Sequence, residues 1–191
     1  MEFQGVDPGY RIDEVDLEGA AEAIGCEVQA IKAVSAVEAP HGGFLADGRP
    51  TILFESHQFW KNTNGRFGEI SGISSPQWVH DYGPGGGHQY DRLTRAAAID
   101  RQAALKSASW GKYQIMGSNF ADAGYDNVEA FVADMCESEA HQLDAFVVFV
   151  QNSGCDRFLI EKNWTGFALH YNGPGQVDAY AGRIAEAYAT A

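Results

Sequence analysis

The sequence predicts a mainly α fold of the α+β kind, a helical domain with a small β-hairpin inserted after its second helix. Three observations carry this prediction. Apolar residues recur at helical spacing up to residue 38 and again from residue 91 almost to the end. Two short apolar runs flank Asp47-Gly48, a hairpin turn signal. The chain has 191 residues, 45% of them hydrophobic and 12% aromatic, which is enough to bury the core of one compact domain and excludes wholesale disorder. The expected division is an irregular lead-in over 1–12 and a single domain over 13–191.

Asp13 is placed to cap a helix over 14–24, whose acidic first turn suits the positive end of the helix dipole, and Gly25 breaks it. A second helix is expected over 27–38, with Val28, Ile31 and Val34 on one face, until Pro40, Gly42 and Gly43 stop it. Glu38 thus ends an apolar helix, where the dipole is negative and disfavours another negative charge. The hairpin sets Phe44-Leu45-Ala46 against Thr51-Ile52-Leu53-Phe54, with Arg49 and Pro50 lengthening the turn. A short helix is expected around 57–62. The stretch 62–90 is rich in Gly, Ser, Asn and Pro, and a loop of that length is functional or mobile; it is not a domain linker, since Trp78 and Tyr82 are groups that want to pack. Helices are then expected near 91–105, 111–120, 127–151, 155–161, 163–171 and 176–189. The third of these, with Phe131, Met135, Leu143, Phe146, Val147 and Val150, reads as the central core helix.

Lys and Arg number 13 against 26 Asp and Glu, a formal net charge of −13. That balance argues against a domain holding nucleic acid by its phosphates and against docking on anionic membrane. No apolar run approaches the roughly 18 residues of a membrane span. The charge is uneven. Residues 13–27 and 122–144 are acidic with no Lys or Arg, whereas 91–112 carries Arg92, Arg95, Arg101, Lys106 and Lys112 against Asp91 and Asp100. This basic stretch leads into Ser109–Met116, so a locally positive side that steers an anionic polymer is expected there.

The N-terminus shows neither the basic nor the apolar region of a signal peptide, so synthesis in the cytoplasm without an export signal is expected. Cys26, Cys136 and Cys155 are expected as free thiols, with a Cys136–Cys155 bridge as the alternative. The histidines at 41, 57, 80, 88, 141 and 170 lack metal-ligand spacing. Phosphate-loop and nucleophile-elbow motifs are absent. Neither a metal nor a cofactor is expected.

Two carboxylates stand out. Glu38 and Glu55 lie 17 residues apart with turn chemistry between them, so the chain folds back and sets them on facing sides of a cleft. Glycoside hydrolysis needs such a pair in different surroundings: one carboxyl kept protonated by burial, the other ionised to activate water or attack the sugar. The competing reading is two solvated surface glutamates, with Arg49 as a partner for one. The segment Ser109-Trp110-Gly111-Lys112-Tyr113-Gln114-Ile115-Met116 offers aromatic faces and an amide to a sugar ring, or else is a plain loop-to-helix transition. Tyr171-Asn172-Gly173-Pro174-Gly175 reads as a helix C-cap and turn, which leaves Tyr171 unexplained.

Taken together, Val37-Glu38, the string Gly48 to His57, the string Ala108 to Gly117, the string Glu137 to Phe146 and Tyr171 to Gly175 closely resemble the N-acetylmuramidase family of phage endolysins over about residues 17–191. The resemblance implies a lysozyme-like fold and a lysozyme-type glycoside hydrolase. Its substrate would be bacterial peptidoglycan, cut at the β-1,4 bond between N-acetylmuramic acid and N-acetylglucosamine. It implies Glu38 as the catalytic acid, with Gln114, Tyr171 and Asn172 lining the cleft. Glu55 is the candidate assisting carboxylate, and Tyr113, Trp110 and His57 are further substrate-binding candidates. After the acid, the family usually shows Glu-Ser-Gly, whereas this chain has Glu38-Ala39-Pro40-His41-Gly42-Gly43. The chain is expected to have no room for the N-terminal wall-binding module of many relatives, to be a monomer, and to reach the wall or periplasm through a holin. The alternatives are a lytic transglycosylase using Glu38 alone, a non-catalytic peptidoglycan-binding module, and an acidic interaction protein.

Overall fold

Asp13 accepts the amides of Val15 and Asp16, and the Asp16 carboxylate accepts the amide of Asp13 in return. This reciprocal box starts α1 (Glu14–Ile24), and Gly25, at φ 82°, ends it in the left-handed conformation that a Cβ resists. After α1 comes α2 (Val28–Glu38), which buries Ala30, Ile31, Ala33 and Val34. The computed structural model describes residues 2–38, 42–80 and 82–191. Pro40, expected to help stop α2, and His41 lie outside the described residues.

The strand at Ile52–Phe54 (β1) forms, but its partner is not Phe44-Leu45-Ala46. It pairs antiparallel with β2 (Ala108–Trp110), which pairs in turn with β3 (Ile115–Met116). Residues 44–50 make a tight turn with one Phe44–Pro50 bridge. The bridge is closed by the Leu45 amide on the Arg49 carbonyl and the Thr51 amide on the Gly43 carbonyl, both at 2.8 Å, and among the described residues no strand pairing continues from it. The run 52–54 instead buries its apolar side chains beside Ala108 and Trp110, both fully buried. The same sheet replaces the helix expected over 111–120. The chain reverses through Gly111 at φ 70° and Gln114 at φ 48°, conformations that no right-handed helix accommodates. Only a single 3₁₀ turn at Gly117–Asn119 remains.

The remaining helices are α3 (Ser56–Asn62), α4 (Gly87–Ala97), α5 (Arg101–Lys106), α6 (Val128–Met135), α7 (Glu139–Asn152), α8 (Asp156–Ile160), α9 (Trp164–Asn172) and α10 (Val177–Thr190). The helices expected over 91–105 and 127–151 are thus each broken in two. Asp100 accepts the Ala103 amide and Ser138 that of His141, each starting a new helix. Apolar periodicity runs on across both breaks; the caps decide them.

The core is centred on α7, which buries Leu143, Phe146 and Val150 and packs against α1 and α6. α10 lies across α2 and α9. The first residues are irregular but anchored: Phe3 packs on the rings of Tyr90 and Trp110, and the Val6 and Asp7 amides bond to the carbonyls of Cys136 and Glu137. The architecture is the expected mainly α fold with a small β element, now a three-stranded sheet rather than a local hairpin. All three cysteines are free thiols. Among the described residues, no helix is long and apolar enough to cross a membrane.

Candidate active site

The sheet builds one wall of the site by its two-residue alternation. Ile52, Trp110 and Ile115 sit in register and are buried. The neighbouring row Leu53, Ser109 and Met116 faces a cavity of about 260 Å³, which Ile115 also touches at the sheet's edge strand. Asn119, Phe149, Tyr171 and Asn172 close the cavity from the helical side. Of the candidates raised from the sequence, Glu55, Gln114, Tyr171 and Asn172 come together around this one cavity.

Glu55 follows β1 directly and occupies the position before the first residue of α3, yet makes no side-chain capping bond there. Its carboxylate lines the cavity, and Oε2 lies 3.3 Å from Nε2 of His57. Burial pushes this carboxyl above the usual range, while His57 and Arg92 pull it back. His57 is therefore Glu55's neighbour and lies off the cavity wall.

Glu38 is the last residue of α2. The Tyr180 hydroxyl, from α10, donates to its Oε1. Desolvation pushes the Glu38 carboxyl up to about 8, with the positive charge of Arg183 acting in the opposite direction. The Arg183 guanidinium lies over the Tyr180 ring, 5.5 Å from its centroid. At neutral pH Glu38 therefore holds a proton. It does not itself line the 260 Å³ cavity; Tyr171 connects the two. Burial raises the Tyr171 phenol well above its usual range and the Glu38 charge adds to this, while the residue also forms part of the cavity wall. The Tyr171 hydroxyl donates to the Tyr113 carbonyl at 2.6 Å.

Gln114 is held in a left-handed backbone conformation, strained for a residue with a side chain. Its amide explains the hold. Nε2 donates to the carbonyls of Gly111 (2.7 Å) and Thr51 (3.3 Å), and Oε1 accepts from the Ser109 hydroxyl at 2.7 Å. The side chain braces the sheet while forming part of the cavity surface.

Trp110 and Tyr113 are placed differently from the sequence expectation. Trp110 is fully buried, its indole N–H donating to the Leu105 carbonyl. Tyr113 is 1% exposed, stacked on Phe146, with its hydroxyl paired to that of Ser35. Neither reaches the cavity, so neither is available to a sugar. The aromatic signal in Ser109–Met116 is a core signal, and the polar wall comes from Ser109 and Gln114.

The opposite support comes from the start of α7. Glu139 is fully buried; its Oε1 accepts the Gly43 amide at 2.8 Å, and its Oε2 lies 3.5 Å from Nζ of Lys112. Gln142 accepts the Lys112 amide and donates to the Met135 carbonyl. A Cβ at Gly43 would stand 2.0 Å from Oε1 of Gln142, so only glycine fits this approach.

Of the basic stretch over 91–112, three of the five cations are engaged within the molecule, while Arg95 reaches the Ser71 carbonyl and Lys106 lies over the Phe120 ring. Arg92 is buried and donates to the carbonyls of Gly72 and Phe54. Arg101 pairs with Glu2 and Glu129, and Lys112 with Glu139. Charges consumed inside the molecule cast little field toward a polymer. Among the described residues, no group of three or more His, Cys, Asp and Glu could hold a metal ion.

Sequence reasoning missed Tyr180, Arg183, Asn119 and Phe149. Only Tyr180 left a signal: it shares a helical stripe with Ile184 in the last helix, and a phenol on a buried stripe needs a polar partner.

Three comparisons bear on these residues. A sequence profile described as N-acetylmuramidase matches residues 27–191. Among solved structures, the chain is similar to a Burkholderia AP3 phage endolysin, at 34% identity and a TM-score of 0.83, over 94% of this chain and 72% of that one. No curated protein matches the sequence.

Proposed function

We propose that this chain, which belongs to the N-acetylmuramidase family, hydrolyses the β-1,4 bond between N-acetylmuramic acid and N-acetylglucosamine in peptidoglycan. Glu38 is the general acid and Glu55 the assisting carboxylate. At the coarser level the chain is a peptidoglycan hydrolase, in keeping with its family and with its similarity to a phage endolysin. Residues 13–191 act as one catalytic domain, and the protein works as a monomer.

The observation that carries the reading is the contrast between the two carboxyls. Glu38 is desolvated to a pKa of about 8 and oriented by Tyr180, so it enters the reaction with a proton to give. Glu55 lines the open cavity; burial raises its carboxyl as well, but His57 and Arg92 oppose that rise and favour its charge. Two carboxyls in such different surroundings supply an acid for the leaving oxygen and a base or stabiliser for the other face of the sugar. As Glu38 protonates the glycosidic oxygen, the bond to the anomeric carbon breaks. Glu55 stabilises the positive charge that develops, and a water delivered from its side completes the hydrolysis. Gln114, Tyr171 and Asn172 offer the wall along which the glycan lies.

Digestion of purified peptidoglycan with mass analysis of the fragments tests this. Fragments that have gained one water, with reducing ends, are expected. Fragments ending in 1,6-anhydro sugar would replace the hydrolase by a transglycosylase that needs Glu38 alone. Retained binding with no fragments would replace both by a binding module.

A further inference from the structure

Trp78 was expected to pack, yet it is 60% exposed. Its neighbour Val79 is 40% exposed, so the two form a contiguous apolar patch, the kind of surface at which a ligand or partner docks. The indole is not loose. Its N–H donates to the Tyr82 hydroxyl at 2.8 Å, and the rings of Trp78, His80 and Tyr82 meet edge-on, with centroids 5.6 to 6.4 Å apart. Edge-on packing fixes each ring without covering its faces.

The segment that carries these rings is pinned on both sides of Glu55. At one end the Ser75 amide donates to the Ser56 carbonyl at 3.2 Å. At the other the Tyr82 carbonyl accepts from Nε2 of Gln89 at 2.7 Å and from Nη1 of Arg92 at 3.4 Å. Gln89 and Arg92 are both buried, and both also hold Phe54: Oε1 of Gln89 accepts its amide, and Nη1 of Arg92 donates to its carbonyl at 2.9 Å. The anchors are thus the residues immediately before and after Glu55. The cavity is about 260 Å³, below the roughly 300–1,000 Å³ of pockets that enclose a whole ligand. A polymeric glycan therefore runs on outside it and needs contacts there.

We propose that Trp78, framed by His80 and Tyr82, is an outlying sugar-binding platform that stacks an N-acetylhexosamine ring of the glycan strand beyond Glu55. The inference rests on the glycosidase reading above. A pyranose presents an apolar C–H face and an acetyl methyl group to the indole, while its hydroxyls meet the polar edges of His80 and Tyr82. Such stacking tolerates any stem peptide, since it touches only sugar.

The test is sedimentation binding to peptide-free glycan strands, prepared by amidase treatment of peptidoglycan, in a Glu38→Gln background that does not cleave them. Trp78→Ala is expected to weaken binding roughly tenfold, and Trp78→Phe to retain most of it. Unchanged thermal melting of both variants shows that the fold survives. In the active protein, Trp78→Ala is expected to raise the half-saturating substrate concentration while leaving kcat unchanged. Equal binding by Trp78→Ala and its parent overturns the platform. So does a loss seen on peptide-bearing wall but not on stripped strands, which assigns the surface to the stem peptide. A wild type that binds the strands with Trp78-dependent affinity yet releases no fragments overturns the glycosidase reading and leaves the platform standing.

Discussion

The Tyr180 hydroxyl donates its hydrogen bond to the carboxyl of Glu38, joining residues 142 apart in sequence at the packed faces of α2 and α10. The bond gives a helix-end carboxyl a fixed direction. It also makes the last helix part of the site, although none of its residues lines the cavity.

Tyr180→Phe keeps the buried ring and removes only the donor. The expected outcome is a kcat about fivefold lower, with half-saturation and melting temperature little changed, because a single hydrogen bond of this kind contributes about 1 kcal/mol. Initial rates of wall solubilisation set beside a melting curve check it. A rate equal to wild type would show that the bond does not orient the acid.

The pH profile follows from the acid at about 8. Activity is expected to fall as pH rises through that value, since the donor form of Glu38 is lost. Arg183 lowers this pKa by its charge, so Arg183→Gln should move the descending limb to higher pH. The same shift predicts stability. The folded pKa lies above the ordinary 4.5, so between about 4.5 and 8 the folded state binds more protons than the unfolded one. Stability contributed by this group is therefore full below that window and declines as pH rises across it. Glu38→Gln should abolish this decline, as measured by denaturant unfolding below and above the window.

Glu55→Gln should lower kcat by roughly 100-fold while strand binding persists, the range expected when a positioned acid–base group is lost. Single-turnover digestion measures it. A variant with wild-type turnover would remove the two-carboxylate mechanism and leave Glu38 acting alone.

Glu139→Ala should cost about 3 kcal/mol, because it strands the Gly43 amide and leaves Lys112, whose side chain is 11% exposed, without its carboxylate. Glu139→Gln keeps an oxygen for Gly43 and should cost less. Urea unfolding of the two variants distinguishes them, and equal stabilities would rule out a role for the charge.

Asp13→Ala should cost about 1 kcal/mol through loss of the reciprocal cap at the start of α1, with the rate of wall digestion unchanged. Urea unfolding and initial rates check both halves of this expectation.

Several features of the fold were legible because their causes are local. Asp13 and Gly25 bound α1 by chemistry contained within a few residues, and the apolar stripe of α2 places Glu38 at a helix end whatever the rest of the chain does. Asp100 and Ser138 carried the same kind of signal, but continuous apolar periodicity masked it. Of the site, Glu55, Gln114, Tyr171 and Asn172 were readable as chemical types in specific strings, and they meet around one cavity.

What the tertiary structure alone decided is which segments meet. Local turn chemistry suggested that β1 pairs with the run before it. The ladder formed instead with residues 56 positions further on, because Leu53 faces Ser109 there and the Ile52 and Trp110 rows enter a common core. Burial then sorted the aromatics in a way no string reports: Trp110 and Tyr113 went inside, while Trp78 stayed out on a loop pinned beside Glu55. The sequence by itself determined the limits of α1, the helix-end position of Glu38 and the residue types around the cavity, since these depend on neighbours a few residues away. The pKa of Glu38, its bond to Tyr180 and the strand order depend on desolvation and contacts between distant segments, and those exist only once the core has closed.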